Sequence, residues 1–211
     1  MHSENELGYQ TRSDGFGILY GEIAGALIER CGRNGMGIVR KAVAAYGKKK
    51  GKRLREQYMG SGVRTDLHNL MAAEDGCWKD PRTLKTTVRD TPEAQLWEIY
   101  SCPLEKNWRD RGREEAGRLY CEEYLHALMD GYGEGAGQAN VSNSKTCRRD
   151  DRCVMAMYCR TANQNETQKG TGDGNGIIRE IPVEESTLLL YRCFIEVMKE
   201  EKDAEVVAAV T

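Results

Sequence analysis

Leu84-Lys85-Thr86-Thr87-Val88-Arg89-Asp90-Thr91-Pro92-Glu93-Ala94-Gln95-Leu96-Trp97-Glu98-Ile99-Tyr100-Ser101-Cys102-Pro103-Leu104 is the stretch whose reading decides the fold class. Threonines and Val88 make Leu84 to Asp90 a strand, and Thr91-Pro92-Glu93 turns the chain. Leu96, Trp97, Ile99 and Tyr100 make Gln95 to Ser101 the return strand. Pro103 suits a first helical position, where its missing N–H has no partner to lose. A short helix is therefore expected through Trp108, broken near Gly112.

Working outward, a longer helix is expected from Arg113 to Asp130, burying Ala116, Leu119, Tyr120, Tyr124 and Ala127 and stopping at Gly131. Gly131 to Gly137 reads as a glycine-rich loop. A second hairpin comes next: Ala139 to Cys147, a charged turn at 148–151, and a return strand from Cys153 to Arg160 with apolar residues on both faces. Upstream, Asp14 is expected to cap a helix from Gly15 to Cys31, with Phe16, Leu19, Ile23 and Leu27 on its stripe and Gly32 as its stop. A second helix is expected from Met36 to Tyr58, with Met36, Val39, Val43, Tyr46 and Leu54 on one face. Its basic run Lys48 to Arg53 reads as a solvated face. Gly47 and Gly51 inside that helix each cost about 1 kcal/mol relative to Ala, which either close helix packing or a ligand against bare backbone would offset.

Residues 64–74 read as a short helix. The composition of 161–182 is that of a linker, and a last helix is expected from Val183 to Ala204. The fold class is therefore α+β: a four-stranded antiparallel sheet from two hairpins, packed against helices, with an N-terminal helical pair and a C-terminal helix. The expected organisation is one domain over 1–160, a linker over 161–182, and the C-terminal helix with its tail over 183–211.

A net charge of −2 on 211 residues gives no electrostatic reason to expect nucleic acid or an anionic membrane as a partner. The longest apolar runs fall far short of the roughly 20 residues a membrane span needs, and the polar start Met1 to Glu6 is unlike a secretory signal. A cytoplasmic location is expected, so the eight cysteines are read as thiols serving packing, metal binding or catalysis.

Cys102, just before Pro103, stands where a helix N-terminus favours the thiolate, the reactive form of cysteine. It could equally be a small apolar residue ending a strand. Cys121 lies mid-helix at the border of the apolar face, where core filling is the plainer reading. Glu122 and His126 are four apart and can pair. Cys121 and His126 are separated by about 140° around the helix, so a histidine base would serve a thiol from another element, such as Cys102 or Cys153. No zinc spacing occurs, and neither metal nor cofactor is expected. A zinc site assembled from Cys102, Cys121, His126 and Cys153 is the weaker alternative.

Cys102-Pro103-Leu104, Gly112, Arg118-Leu119-Tyr120-Cys121-Glu122, Ala127-Leu128 and Gly131-Tyr132, then Ser144-Lys145-Thr146-Cys147 and Asp150-Asp151-Arg152-Cys153, resemble the L-2-amino-thiazoline-4-carboxylic acid hydrolase family. Tyr46-Gly47-x-x-x-Gly51-x-Arg53 resembles that family's helix with paired glycines. The resemblance implies a small bacterial hydrolase that opens a cyclic amidine or amide by C–N hydrolysis, with Cys121 as nucleophile; helix-end physics puts Cys102 beside it as a candidate. Glu122 or His126 would be general acid or base. Arg118, Lys145, Tyr124 and Cys153 would bind a small, carboxylated substrate. The stretch after Cys153, Val-Met-Ala-Met-Tyr, departs from the family's acidic-and-aromatic pattern. The layout is also similar to the small-molecule-binding domain named after vinyl reductase, which implies binding without turnover, with the last helix as a partner-docking element. Assembly as a homo-oligomer is left open.

Overall fold

The structure is a computed structural model that describes residues 4–73, 78–142, 146, 150–164 and 181–201. Helix α1 runs over Glu4–Ser61, broken where Gly32 adopts φ 53° and ψ −124°. Only a residue without a Cβ takes this conformation cheaply, so Gly32 ends one arm (4–31) and starts the other (33–61). The stop expected at Gly32 is therefore a kink, and the helix begins well before Asp14. Asp14 caps nothing. Its carboxylate instead accepts hydrogen bonds from Arg82 and Asn107, tying the first arm to the segments around β1 and α3. The buried stripe of that arm is Phe16, Tyr20, Ala24 and Leu27, with Leu19 exposed rather than buried as the pattern suggested.

Helix α2 spans Leu67–Ala73, β1 Leu84–Thr91, β2 Ala94–Ser101, α3 Pro103–Asp110, α4 Glu114–Gly133, β3 Gly137–Val141, β4 Cys153–Cys159 and α5 Val183–Glu200. The fold is α+β with a four-stranded antiparallel sheet in the order β1-β2-β4-β3. Pro92 and Glu93 form the tight β1–β2 connection, and the Thr91 hydroxyl takes the N–H of Ala94 at 2.9 Å. The other pair is less regular than expected. β3 ends at Val141, because the Ser142 hydroxyl accepts the Val154 N–H at 3.0 Å and closes the ladder with a side chain. Most of the expected charged turn, with the end of its first strand, lies outside the described residues. Along β4, Cys153, Met155, Met157 and Cys159 are buried while the alternate residues are half-exposed, so only one face of the strand is in the core.

Gly131, Tyr132 and Gly133 are the last turn of α4, not a loop, and Gly137 opens β3. The reason is backbone contact. A Cβ on Gly131 would lie 2.1 Å from the carbonyl oxygen of Lys48, and one on Gly51 2.2 Å from that of Leu128. A Cβ on Gly47 would lie 2.7 Å from the Tyr124 oxygen. The second arm of α1 and α4 therefore cross backbone to backbone. Of the two uses open to Gly47 and Gly51, helix packing is the one observed.

Helix α5 buries Leu190, Cys193, Phe194, Val197 and Met198 in the common core, with Phe194 against Tyr20. Most of its apolar stripe is thus packed inside the molecule, while Leu188 and Tyr191 stay exposed. The linker-like stretch shows a 3₁₀ turn at Thr161–Asn163, while residues 165–180 and 202–211 lie outside the described residues. No described helix is long and apolar enough to cross a membrane.

Helical Gly→Ala changes ordinarily gain up to about 1 kcal/mol. Gly37→Ala, whose Cβ would meet nothing within 4 Å, should do so. Gly131→Ala should instead lose about 2 kcal/mol or more, because two backbones must separate. Urea midpoints of the two variants measure the difference; equal midpoints would remove the close crossing.

Candidate active site

The helix crossing places the α1 residues Tyr46 and Lys50 opposite Tyr120, Cys121 and Tyr124 of α4. Strand β2 brings Ile99 to the same place and hands over to α3 through Cys102. Cys102 is the extended N-cap residue of α3 (φ −134°, ψ 120°), its carbonyl accepting the Lys106 N–H at 3.0 Å. Cys153 starts β4 directly opposite Ile99. These elements, the first arm of α1 and the start of α5 line one cavity that opens to solvent. Cys102, Cys121, Cys153 and Tyr124 all line it. Sequence-remote thiols thus share one space.

Their surroundings differ. Cys153 is buried, and its sulfur accepts the backbone N–H of Thr146 at 3.2 Å, with the Thr146 hydroxyl 3.5 Å away. Hydrogen bonds of this kind favour the anionic form of an acceptor. The Cys102 side chain, although at the N-cap, makes no capping hydrogen bond to the first turn of α3. Cys159 and Cys193 lie away from the cavity. Burial pushes both thiols up, more than Gln164 beside one and Lys49 beside the other bring them down.

One wall is aromatic. Tyr46 stacks on Tyr124 at 5.4 Å and Tyr124 on Tyr120 at 4.9 Å, with interplanar angles of 21° and 17°. Lys50 is only 2% exposed, and its Nζ lies 5.9 Å from the Tyr46 ring centre and 5.8 Å from that of Tyr124. Glu105, in the first turn of α3, is 5% exposed. Arg109 approaches its Oε1 to 2.8 Å, but that oxygen has no partner in hydrogen-bond geometry. Burial raises the Glu105 carboxyl, with Arg109 opposing but not cancelling it. Ser186 of α5 is 2% exposed, and its hydroxyl also lacks a hydrogen-bond partner.

Other expected site residues stand elsewhere. His126 is exposed, and Glu122 and Arg118 do not line the cavity. The 100° helical step that turns Tyr120, Cys121 and Tyr124 inward turns these three to the opposite side of α4. There Glu122 accepts from Arg118 and from Arg40 at 2.6 Å, and burial, which would raise its carboxyl, is outweighed by those two cations. Arg118 is paired with Glu115 and Glu122 on that side of the helix. Lys145 and Cys147 lie outside the described residues. Among the described residues, no three His, Cys, Asp or Glu side chains are grouped so as to hold a metal ion.

Sequence reasoning missed Lys50, Glu105 and Ser186. Each carried a signal. Lys50 is four residues after Tyr46 and four before Leu54, on the apolar stripe of its helix. Ser186 holds the same relation to Leu190, and Glu105 sits one turn from Cys102.

The sequence model of the L-2-amino-thiazoline-4-carboxylic acid hydrolase family matches residues 16–155. The chain belongs to this family. Its name is that of a hydrolase acting on a small aminothiazoline carboxylate. The match takes in Lys50, Glu105 and all three cavity thiols, whereas Arg12, Ser13, Val183 and Ser186, which also line the cavity, lie outside it. No curated protein and no solved structure matches the chain.

A carboxyl raised by folding holds its proton more tightly in the folded state. Its contribution is therefore favourable below the ordinary carboxylate range and is lost as pH rises through the folded value, so ionised Glu105 costs stability at neutral pH. Glu105→Gln should raise Tm at about pH 7 and bring no gain at about pH 4. A gain confined to acid pH would reverse the assignment.

Proposed function

We propose that this chain opens a small cyclic amidine by cysteine-dependent C–N hydrolysis, 2-amino-thiazoline-4-carboxylate being the first substrate to test. The observation that carries the reading is one cavity in which three thiols meet a buried carboxyl and a stack of tyrosines. The flat, conjugated amidine part of such a ring suits the tyrosine wall, since parallel faces maximise contact. Family membership supports hydrolysis of such a ring.

Family resemblance points to Cys121 as the nucleophile, and helix-end physics to Cys102. The Thr146 N–H on sulfur favours Cys153 over both. In the reaction, a thiolate Sγ adds to the amidine carbon, and the C=N electron pair moves to the ring nitrogen. That C–N bond then breaks, its electrons leaving on nitrogen, which takes a proton. A thioimidate remains on the enzyme. Water adds to its carbon, the thiolate departs with the C–S electrons, and a ring-opened carbamoyl product leaves. Glu105 meets the amidinium as a carboxylate, takes one of its protons as the thiolate adds and passes that proton to the leaving nitrogen, and burial, which raises its carboxyl, makes it a stronger base than a solvated one. With Glu122 and His126 outside the cavity lining, Glu105 takes the acid–base role expected of them.

Cys153→Ser should reduce kcat for 2-amino-thiazoline-4-carboxylate by at least ~10³-fold, as removal of a nucleophile does. Cys102→Ser and Cys121→Ser should each cost less than ~10-fold. Mass spectrometry of quenched parent protein should find the adduct on Cys153. Three variants that all turn over like the parent would end the thiol mechanism. Binding without product in the parent would favour the ligand-binding alternative.

A further inference from the structure

Three buried polar atoms on the cavity wall lack partners in hydrogen-bond geometry: Ser13 Oγ, which has the Asp80 carboxylate nearby, and the pair formed by Glu105 Oε1 on α3, with Arg109 2.8 Å away, and Ser186 Oγ on α5. An unsatisfied polar atom in an apolar enclosure costs free energy unless something that enters the enclosure bonds to it. The pair has a definite chemistry. A carboxylate accepts only, and a hydroxyl can accept as well as donate, so together they fit a ligand edge that presents N–H donors. Lys50 is the opposite pole, an ammonium carried by the tyrosine-lined side of the same cavity. An amidinium group has two parallel N–H donors and a positive charge, which matches Glu105 in both respects. A carboxylate matches Lys50.

We propose that the cavity is a zwitterion site, in which Glu105 and Ser186 receive the amidinium edge of a small ring compound and Lys50 receives its carboxylate. This rests on the hydrolase reading for the kind of ring, but the recognition is testable without turnover. Ser186 lies beyond the stretch shared with the family, so the α5 hydroxyl is a selectivity determinant supplied by this chain's own C-terminal helix.

Three probes separate the two ends of the ligand: 2-amino-2-thiazoline-4-carboxylate, 2-amino-2-thiazoline without the carboxylate, and 2-oxothiazolidine-4-carboxylate without the amidinium. Calorimetry on the parent chain should rank the first at least ~10-fold tighter than either of the others. Glu105→Gln should abolish the advantage over the oxo compound, and Ser186→Ala should reduce it by about 2- to 10-fold. Both should leave the advantage over the decarboxylated ring in place, while Lys50→Met should do the reverse. A merely structural role would weaken all three probes together and overturn the proposal. A parent chain that binds the three alike would overturn it without any variant. Parent-like selectivity in every variant, with ring opening intact, would sink the zwitterion site and leave the hydrolase standing. The expected selectivity without ring opening would sink the hydrolase and leave the site.

Discussion

The crossing of α1 on α4 at Gly47, Gly51 and Gly131 is the constraint on which the rest of the structure depends. Side chains normally hold helix axes apart, and here three missing Cβ atoms let carbonyl oxygens of one helix face the backbone of the other. The consequence is positional. With the second arm of α1 locked along α4, Tyr46 lies in stacking contact with Tyr124, and Lys50 is carried inward with it. A looser crossing would open the tyrosine stack and let water reach the ammonium, so the glycines act on the site without touching it.

Charge is segregated around α4. On its outer side Arg40, Arg118, Glu115 and Glu122 neutralise one another, each cation meeting a carboxylate. Such pairs add little stability individually, but they set the rotation of the helix by giving its polar stripe a fixed set of partners. Inside, the charged groups are few and far more consequential, because apolar walls screen them poorly. Glu105 and Lys50 keep their places there although both would be better solvated outside. Groups retained at such a cost are concentrated at sites of chemistry.

Much of the fold was legible because its signals are local. Pro92 after Thr91 turns the first hairpin, Pro103 starts α3, and Gly32 interrupts α1, each for reasons contained within a few residues. The ends of α4 and β3 were not, because the glycines at 131 and 137 answer to Lys48 and Met129, contacts absent from any window of sequence. The same division runs through the site. Cys102 and Cys153 stood out through their neighbours at element ends, whereas Lys50 was hidden in a basic run whose other members pair on the surface, Lys48 with Asp130 and Arg53 with Glu185. Composition cannot tell a lysine that faces in from one that faces out. Helical phase can, and Lys50 is in phase with Tyr46 and Leu54.

Helix α5 closes one side of the cavity. It is anchored by Phe194, Val197 and Met198 in the core, and its surface partners Lys49 and Arg53 sit on the same arm of α1 that carries Lys50. The arm that supplies the cavity's cation therefore also fixes the helix that supplies its hydroxyl. Rotating α5 back by one residue would swing Ser186 about 100° away from the cavity and bring Glu185 toward the apolar wall. That alternative register buries an additional charge and exposes Phe194, so packing alone excludes it. The position of the Ser186 hydroxyl is thus set by the core.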